Sequence, residues 1–409
     1  MSKKRLEKSL IIIGTIMVLY VWGSCYHLWK NGGNNTLPST PYLLLWTPLQ
    51  NQWYPHYVIK TIPSNVNKVT QIYLKPRSRR SQSQLAPQSR YLVYFPSCVQ
   101  LSKLSKMLTI RPNTDSQVYL FRTCYCREIH SKMSNWKHYI NYYGYNNASN
   151  IMPQSYRFDQ YNDYQRFQQD NKSKNHKNKW LVKLDLDKKQ GLYLYHTLDR
   201  DTLNELSRQP SLLQKVQPDP FLVNGYRTSF RFYISSICRS DGINGLYLYH
   251  DGLVQYSLLP YDENSDNLDS LLAGYPDTPS LNFYKRYNLP RSYRALISNT
   301  ENSSIPDLHT LDNFFKRVFR PFQKQMCQCD IDPELKGNIT RVHVYGADVG
   351  FHLVDGTYKP FLYELNSGPC QIYPEMDWQK LILNMYHGLF QRLSILPLDD
   401  RYQNWNQFL

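Results

Sequence analysis

Apolar and polar positions alternate along this chain in ways that change abruptly from segment to segment. The stretch LIIIGTIMVLYVWGSCYHLW, residues 10–29, has no charged residue. At about 20 residues it is long enough to cross the hydrocarbon core of a bilayer. It predicts a single transmembrane helix after a cationic tail, residues 1–9, that carries Lys3, Lys4, Arg5 and Lys8. Residues 30–40, with NGGNNTLPST, read as a flexible stem. Short β-like runs follow at Tyr42 (YLLLW), His56 (HYVIK), Val69 (VTQIYLK), Tyr91 (YLVYF) and Val118 (VYLFR), so residues 41–150 are expected to form a small amino-terminal α/β domain. The basic break PRSRRSQSQLAPQSR within it reads as an exposed loop.

Farther on, alternation with period two dominates in WLVKL, YRTSFRFYI, INGLYLYHDGLVQY and RVHVYGADVGFHLVDGTYKPFLYELN. Asp-Gly pairs at Asp251-Gly252 and Asp355-Gly356 predict two hairpin turns. Residues 266–302 look polar and loop-like, while 311–326 and the segment from Asp377, with Leu381, Ile382, Met385 and Leu389, carry helical spacing. The tail 396–409 is expected to fray at QNWNQFL.

The hairpin around Asp355-Gly356 carries the chemistry. Strand alternation turns Glu364 and Asn366 to one face and Leu365 to the core. With Asp348 on the neighbouring strand, three oxygen donors converge in the manner that Mg2+ requires, a few carboxylates finished by phosphate and water. A solvated hairpin with three polar residues on its wet side is the plain alternative. Arg227, Ser229 and Arg231 share one face of another strand. Lys183 ends the apolar run WLVK, where it is either a surface lysine or a cation for a phosphate oxygen.

The segment PFLYELNSGP, with Asp348 upstream, resembles the tubulin-tyrosine ligase-like family of ATP-grasp ligases, whose corresponding strand reads roughly W-L-L-E-V-N-S-x-P. The resemblance runs on through the lysine-led SKMSNWKHYINYY, the P-x-x-Y at Pro153, KWLVKLD, QKVQPDPFLVNGYRTSFRFYI and INGLYLYHDGLVQY, covering roughly Lys132 to Leu389. It implies an α+β chain with an ATP-grasp domain over residues 151–395 behind the small domain and the membrane helix. It implies ATP and Mg2+ as cofactors, with Asp348, Glu364 and Asn366 as metal ligands and Glu364 and Arg231 as catalytic residues. Nucleotide contacts are implied at Lys132, Lys183 and Arg231, and along Gln214, Lys215, Val216 and Gln217, where the family receives adenine through backbone groups. The family joins a free amino acid to a protein carboxylate through an acyl phosphate, on tubulin where the enzyme is cytosolic.

Among the chain's departures from the family, which include Arg227 in place of a lysine and Ser280-Leu281-Asn282 in place of H-L-T-N, three bear on catalysis. Gly191 is the single glycine of the phosphate loop, Ser229 stands for an aspartate, and Gln255 stands for an arginine. These departures keep open a degenerate nucleotide-binding protein without catalysis. A type II membrane glycosyltransferase, using Asp185-x-Asp187 with Mn2+, is the other alternative.

Charge and cysteine usage then constrain partner and compartment. The net charge of +16 and a pI near 9.3 favour polyanionic partners, whether an acidic protein acceptor, nucleotide phosphate, nucleic acid or anionic lipid, although no basic run interleaved with stacking aromatics marks a nucleic-acid platform. The charged flank lies before residues 10–29, which places the catalytic part in the lumen or outside as a type II membrane protein. A signal peptide cleaved near Gly23-Ser24 is the other reading of the same segment. Sequons at Asn34, Asn147, Asn171, Asn302 and Asn338 all follow the apolar segment. In an oxidising compartment the later cysteines, including Cys124-x-Cys126 and Cys327-x-Cys329, are disulfide candidates, and their spacing disfavours zinc.

Overall fold

A computed structural model describes residues 42–46, 70–73, 90–94, 117–121, 129, 131–172, 179–184, 191–196, 198–208, 210–239, 242–274, 281–299, 305–327, 339–366, 376–393 and 404–409. All of these lie in one compact unit, Thr40–Leu409. The predicted tail, anchor and stem fall outside the described residues, and no helix among the described residues is long and apolar enough to cross a membrane.

The chain is α+β, with its described strands in two sheets. In the large sheet, β1 (Tyr42–Trp46), β2 (Thr70–Tyr73), β3 (Arg90–Tyr94) and β4 (Gln117–Phe121) run parallel in the order β2-β1-β3-β4. Helices α1 (Lys132–Tyr143) and α2 (Tyr145–Ala148) follow. The small sheet comprises β5 (Ser155–Arg157), β6 (Trp180–Leu184), β7 (Leu192–Tyr195) and β8 (Ser211–Lys215), in the antiparallel order β5-β8-β6-β7. It packs with α3 (Tyr161–Lys172) and α4 (Arg200–Ser207) around Tyr156, Phe167, Trp180, Leu203 and Leu213.

The chain then returns to the large sheet with the short β9 (Leu222–Val223) and the long β10 (Tyr226–Arg239) and β11 (Gly242–Tyr256). Helices α5 (Leu268–Leu271), α6 (Leu281–Arg286), α7 (Tyr293–Asn299), α8 (Leu308–Phe319) and α9 (Gln323–Met326) lead to β12 (Ile339–Val354) and β13 (Thr357–Asn366). Helix α10 (Met376–Arg392) and β14 (Trp405–Gln407) complete the chain. β12 joins the halves of this sheet, pairing parallel with β4 at one end and antiparallel with β10 and β13 farther along. It is buried along most of its length, from Ile339 to Phe351 and beyond, as a strand covered on both faces must be.

Four expectations from the sequence need correction. Asp251-Gly252 does not turn the chain; it lies within β11, at a register shift in its pairing with β10. The Asp251 carboxylate accepts from the Arg294 N–H at the start of α7 at 3.0 Å, and a Cβ on Gly252 would meet the Arg231 carbonyl, so both residues serve close packing. Residues 266–302 contain α5, α6 and α7, helices of four to seven residues that are too short to show a period. The helix expected over 311–326 is broken into α8, a 3-10 turn at Arg320–Phe322 and α9, with Pro321 inside that turn. The carboxyl end does not fray: Trp405 and Phe408 are buried, and β14 adds an edge strand to β11.

Candidate active site at the junction of the two sheets

Asp355 and Gly356 both have positive φ, 52° and 76°, the two-residue turn that matches the twist of a hairpin. The turn fixes the register so that Asp348 on β12 lies opposite Glu364 on β13. Two carboxylates directly across a ladder repel each other. The neighbouring strands offset this. Arg231 on β10 lies opposite Asp348 on its other side and donates through Nε and Nη2 to both carboxylate oxygens at 2.7 Å. Asn366 donates from Nδ2 to Asp348 Oδ2 at 3.2 Å, and Leu365 between it and Glu364 is buried.

Lys132, the first residue of α1, places Nζ 3.6 Å from Glu364 Oε1. The helix starts there because Ser131 caps it, its hydroxyl accepting from the Ser134 N–H. Lys183 arrives from the other sheet. It is 8% exposed, and its Nζ approaches the Tyr363 carbonyl at 3.5 Å. Burial pulls its pKa down to about 8; Glu364 and Asp348 oppose that pull, and Lys132 adds to it. A buried lysine beside two carboxylates sits between the sheets, as a phosphate-binding cation would need to.

The remaining expected nucleotide contacts are placed less simply. The Gln214 side chain is buried and donates to the Ser155 hydroxyl at 3.1 Å, facing the interior of the small sheet. The N–H groups of Lys215 and Val216 donate to the carbonyls of Gln154 and Lys179 at 2.8 and 2.9 Å. Gln217 follows the strand and is half-buried. Asp185 and Asp187 lie outside the described residues, as does most of the loop before Gly191.

Two carboxylates and a carboxamide form the oxygen donor set that suits a hard divalent cation with phosphate and water completing its shell. No cluster of three or more His, Cys, Asp or Glu with metal-binding geometry occurs among the described residues, and the Asn366 carboxamide would be the third oxygen donor beside Asp348 and Glu364. The residues present fit Mg2+ on these terms.

Two residues at the site were missed by the sequence reading. Tyr363 is the extra residue of a bulge, since Asp348 pairs with Glu364 and Val349 with Leu362. Its phenol oxygen accepts from Arg227 Nη2 at 3.2 Å and pairs with His352 Nε2, whose other ring nitrogen meets the Pro218 carbonyl. Burial, with the Arg227 charge adding to it, drives the His352 pKa down to about 3. The signal was Gly350: a Cβ there would overlap the Tyr363 ring. Ser229 and Gln255, two of the departures from the resembled family, are cross-strand partners on β10 and β11.

Lys183 from the small sheet and Arg231 from the large one thus approach the Asp348 and Glu364 pair from two sides. The sequence profile of the tubulin-tyrosine ligase family matches residues 109–401, and the chain belongs to that family. Among curated proteins it is similar to the tubulin polyglutamylase TTLL5 of Mus musculus, 23% identical over 244 residues, which span 56% of this chain and 18% of that protein. The human tubulin polyglutamylase TTLL5 is 22% identical over 206 residues, 46% of this chain and 15% of its own length. The chain thus aligns with less than a fifth of the length of these relatives.

Proposed function

We propose that the chain is an ATP- and Mg2+-dependent ligase of ATP-grasp architecture that joins an amino acid to a carboxylate of an acidic protein segment. The observation that carries this reading is the approach of Lys183 from the small sheet to the Tyr363-Glu364 bulge of the large one. It brings the lysine within electrostatic reach of Glu364, Asp348 and Lys132. The relatives' name, tubulin polyglutamylase, makes glutamate the first amino acid to test and an acidic tail the first acceptor.

Bound ATP would supply the phosphoryl group that converts the acceptor carboxylate to an acyl phosphate, and Mg2+ would screen its charge. Asp348, Glu364 and Asn366 would hold the cation. Lys183 and Lys132 contribute positive charge to the phosphate side. Arg231, its guanidinium held by both oxygens of Asp348, adds fixed positive charge beside the same space, so that little reorganisation is needed as charge develops. Lys183, buried and with its pKa near 8, is still mostly protonated at neutral pH.

The test is ADP release by the full chain with Mg2+, glutamate and an acidic peptide. Turnover that needs all three and falls in Glu364→Gln supports the ligase; turnover indifferent to that substitution refutes it. The neutral Ser229 and Gln255 pair motivates a second reading, a nucleotide-binding protein without chemistry. Calorimetric ATP binding without ADP formation is its signature.

A further inference from the structure

Cys238 and Cys327 form a disulfide between segments 89 residues apart, with a Cα–Cα distance of 5.6 Å that suits the bond. Cys238 is fully buried near the end of β10, the strand that carries Arg231, and Cys327 caps α9. A buried arginine also bridges the two ends. The guanidinium of Arg341 on β12, itself 4% exposed, donates to the Cys327 carbonyl and, at 3.2 Å, to the Arg239 carbonyl. The bonded partner of Cys327 is therefore distant in sequence.

Disulfides of this structural kind persist in secretory and extracellular compartments and are rare in the cytosol. A second observation points the same way. Asn147, in the sequon Asn147-Ala148-Ser149, lies exposed on α2, and its carboxamide makes one surface hydrogen bond, to the Tyr143 carbonyl at 3.2 Å. We infer that this domain matures in an oxidising, glycosylating compartment, with Cys238–Cys327 as a structural staple and Asn147 as a glycan acceptor. Its acceptor protein is then one that meets it in the secretory pathway or outside the cell; that last clause alone rests on the ligase reading.

Forming the bond takes one proton and one electron from each thiol, and these reduce a protein or glutathione disulfide to two thiols. At Asn147 the carboxamide nitrogen displaces the pyrophosphate of a lipid-linked oligosaccharide at its anomeric carbon and gives up one proton.

The full chain is expressed in animal cells, free thiols are alkylated before lysis, and the protein is digested without reduction for mass spectrometry. The expected result is a cross-linked peptide pair containing Cys238 and Cys327. A mobility shift on amide-glycosidase treatment is also expected, reduced by one glycan in Asn147→Gln. Both cysteines alkylated as free thiols would overturn the staple. A cross-linked pair on a chain without any glycan would overturn the compartment, and other sequons glycosylated with no change in Asn147→Gln would overturn that acceptor. None of these readouts depends on ADP release, so their failure is separable from failure of the ligase reading.

Discussion

Arg231 and Asp348 stand opposite each other on β10 and β12, and the guanidinium fork engages both oxygens of the carboxylate at 2.7 Å. A carboxylate offers about four lone-pair sites. The fork takes one on each oxygen, and Asn366 takes a second on Oδ2. On the proposed reading a cation would meet Asp348 through Oδ1, and Glu364, with a side chain 32% exposed, would be the more available ligand.

This asymmetry predicts different failures for the two carboxylates. Asp348→Asn leaves the Arg231 guanidinium without its counter-charge, and breaking a buried pair costs up to about 3–5 kcal/mol, less here because both side chains keep some exposure. Its melting temperature falls along with turnover. Glu364→Gln keeps the fold and loses turnover, by about 100-fold or more if Glu364 holds charge developing in the transition state. Thermal melts beside ADP release in a Mg2+ titration separate the two; equal loss of stability would contradict the assignment.

Lys183 predicts a pH dependence. Its folded pKa of about 8 lies below the usual 10.5, so the unbound protein gives up this proton as pH rises through 8. Between about 8 and 10.5 the unfolded chain holds more protons on this group, so this group's contribution to stability rises with pH there. Nucleotide affinity moves the other way, because a neutral lysine no longer attracts phosphate. KM for ATP should rise above pH 8 in the native protein. In Lys183→Arg it should stay flat through that range, since arginine remains charged.

The hairpin that carries these groups was legible in the sequence because period two, the Asp355-Gly356 turn and the Glu364/Asn366 alternation are local signals. What was not legible depends on partners far away. The pairing of Arg231 with Asp348 joins positions 117 residues apart. The Tyr363 bulge exists only as a difference between two strands, and no property of Tyr363 announces it. Asp251-Gly252 misled for the same reason: the dipeptide fits a turn, but the carboxylate is occupied by the start of α7. Ser229 and Gln255 gain meaning only as cross-strand partners. If Ser229 replaces an aspartate and Gln255 an arginine, the two exchanges remove opposite charges from adjacent positions and leave the local balance unchanged.

The bulge should also govern acid stability. His352 is 1% exposed, with a pKa near 3 against an ordinary 6.5. Below pH 6.5 the unfolded chain takes up a proton that the folded chain refuses, so stability falls as pH drops from 6.5 toward 3. At roughly 1.4 kcal/mol per pKa unit the loss amounts to a few kcal/mol. His352→Gln keeps a hydrogen-bonding side chain without titrating, so its urea midpoint should depend less on pH across that window. An unchanged acid limb would show that other groups control it.

Gly350 and Tyr363 should behave as a coupled pair. A Cβ at Gly350 falls on the Tyr363 phenol ring, which is held from behind by His352 and Arg227 and has little room to move. Gly350→Ala is then an overpacking change of about 1–3 kcal/mol. Because Tyr363 also presents its carbonyl to Lys183, displacing it should raise KM for ATP as well as lower stability. Tyr363→Ala empties the space a methyl would enter, so the double variant Gly350→Ala/Tyr363→Ala should be less destabilised than the sum of its single changes. Additive losses in urea denaturation would mean that the strand relaxes around the methyl and that the Tyr363 ring does not set the position of the bulge.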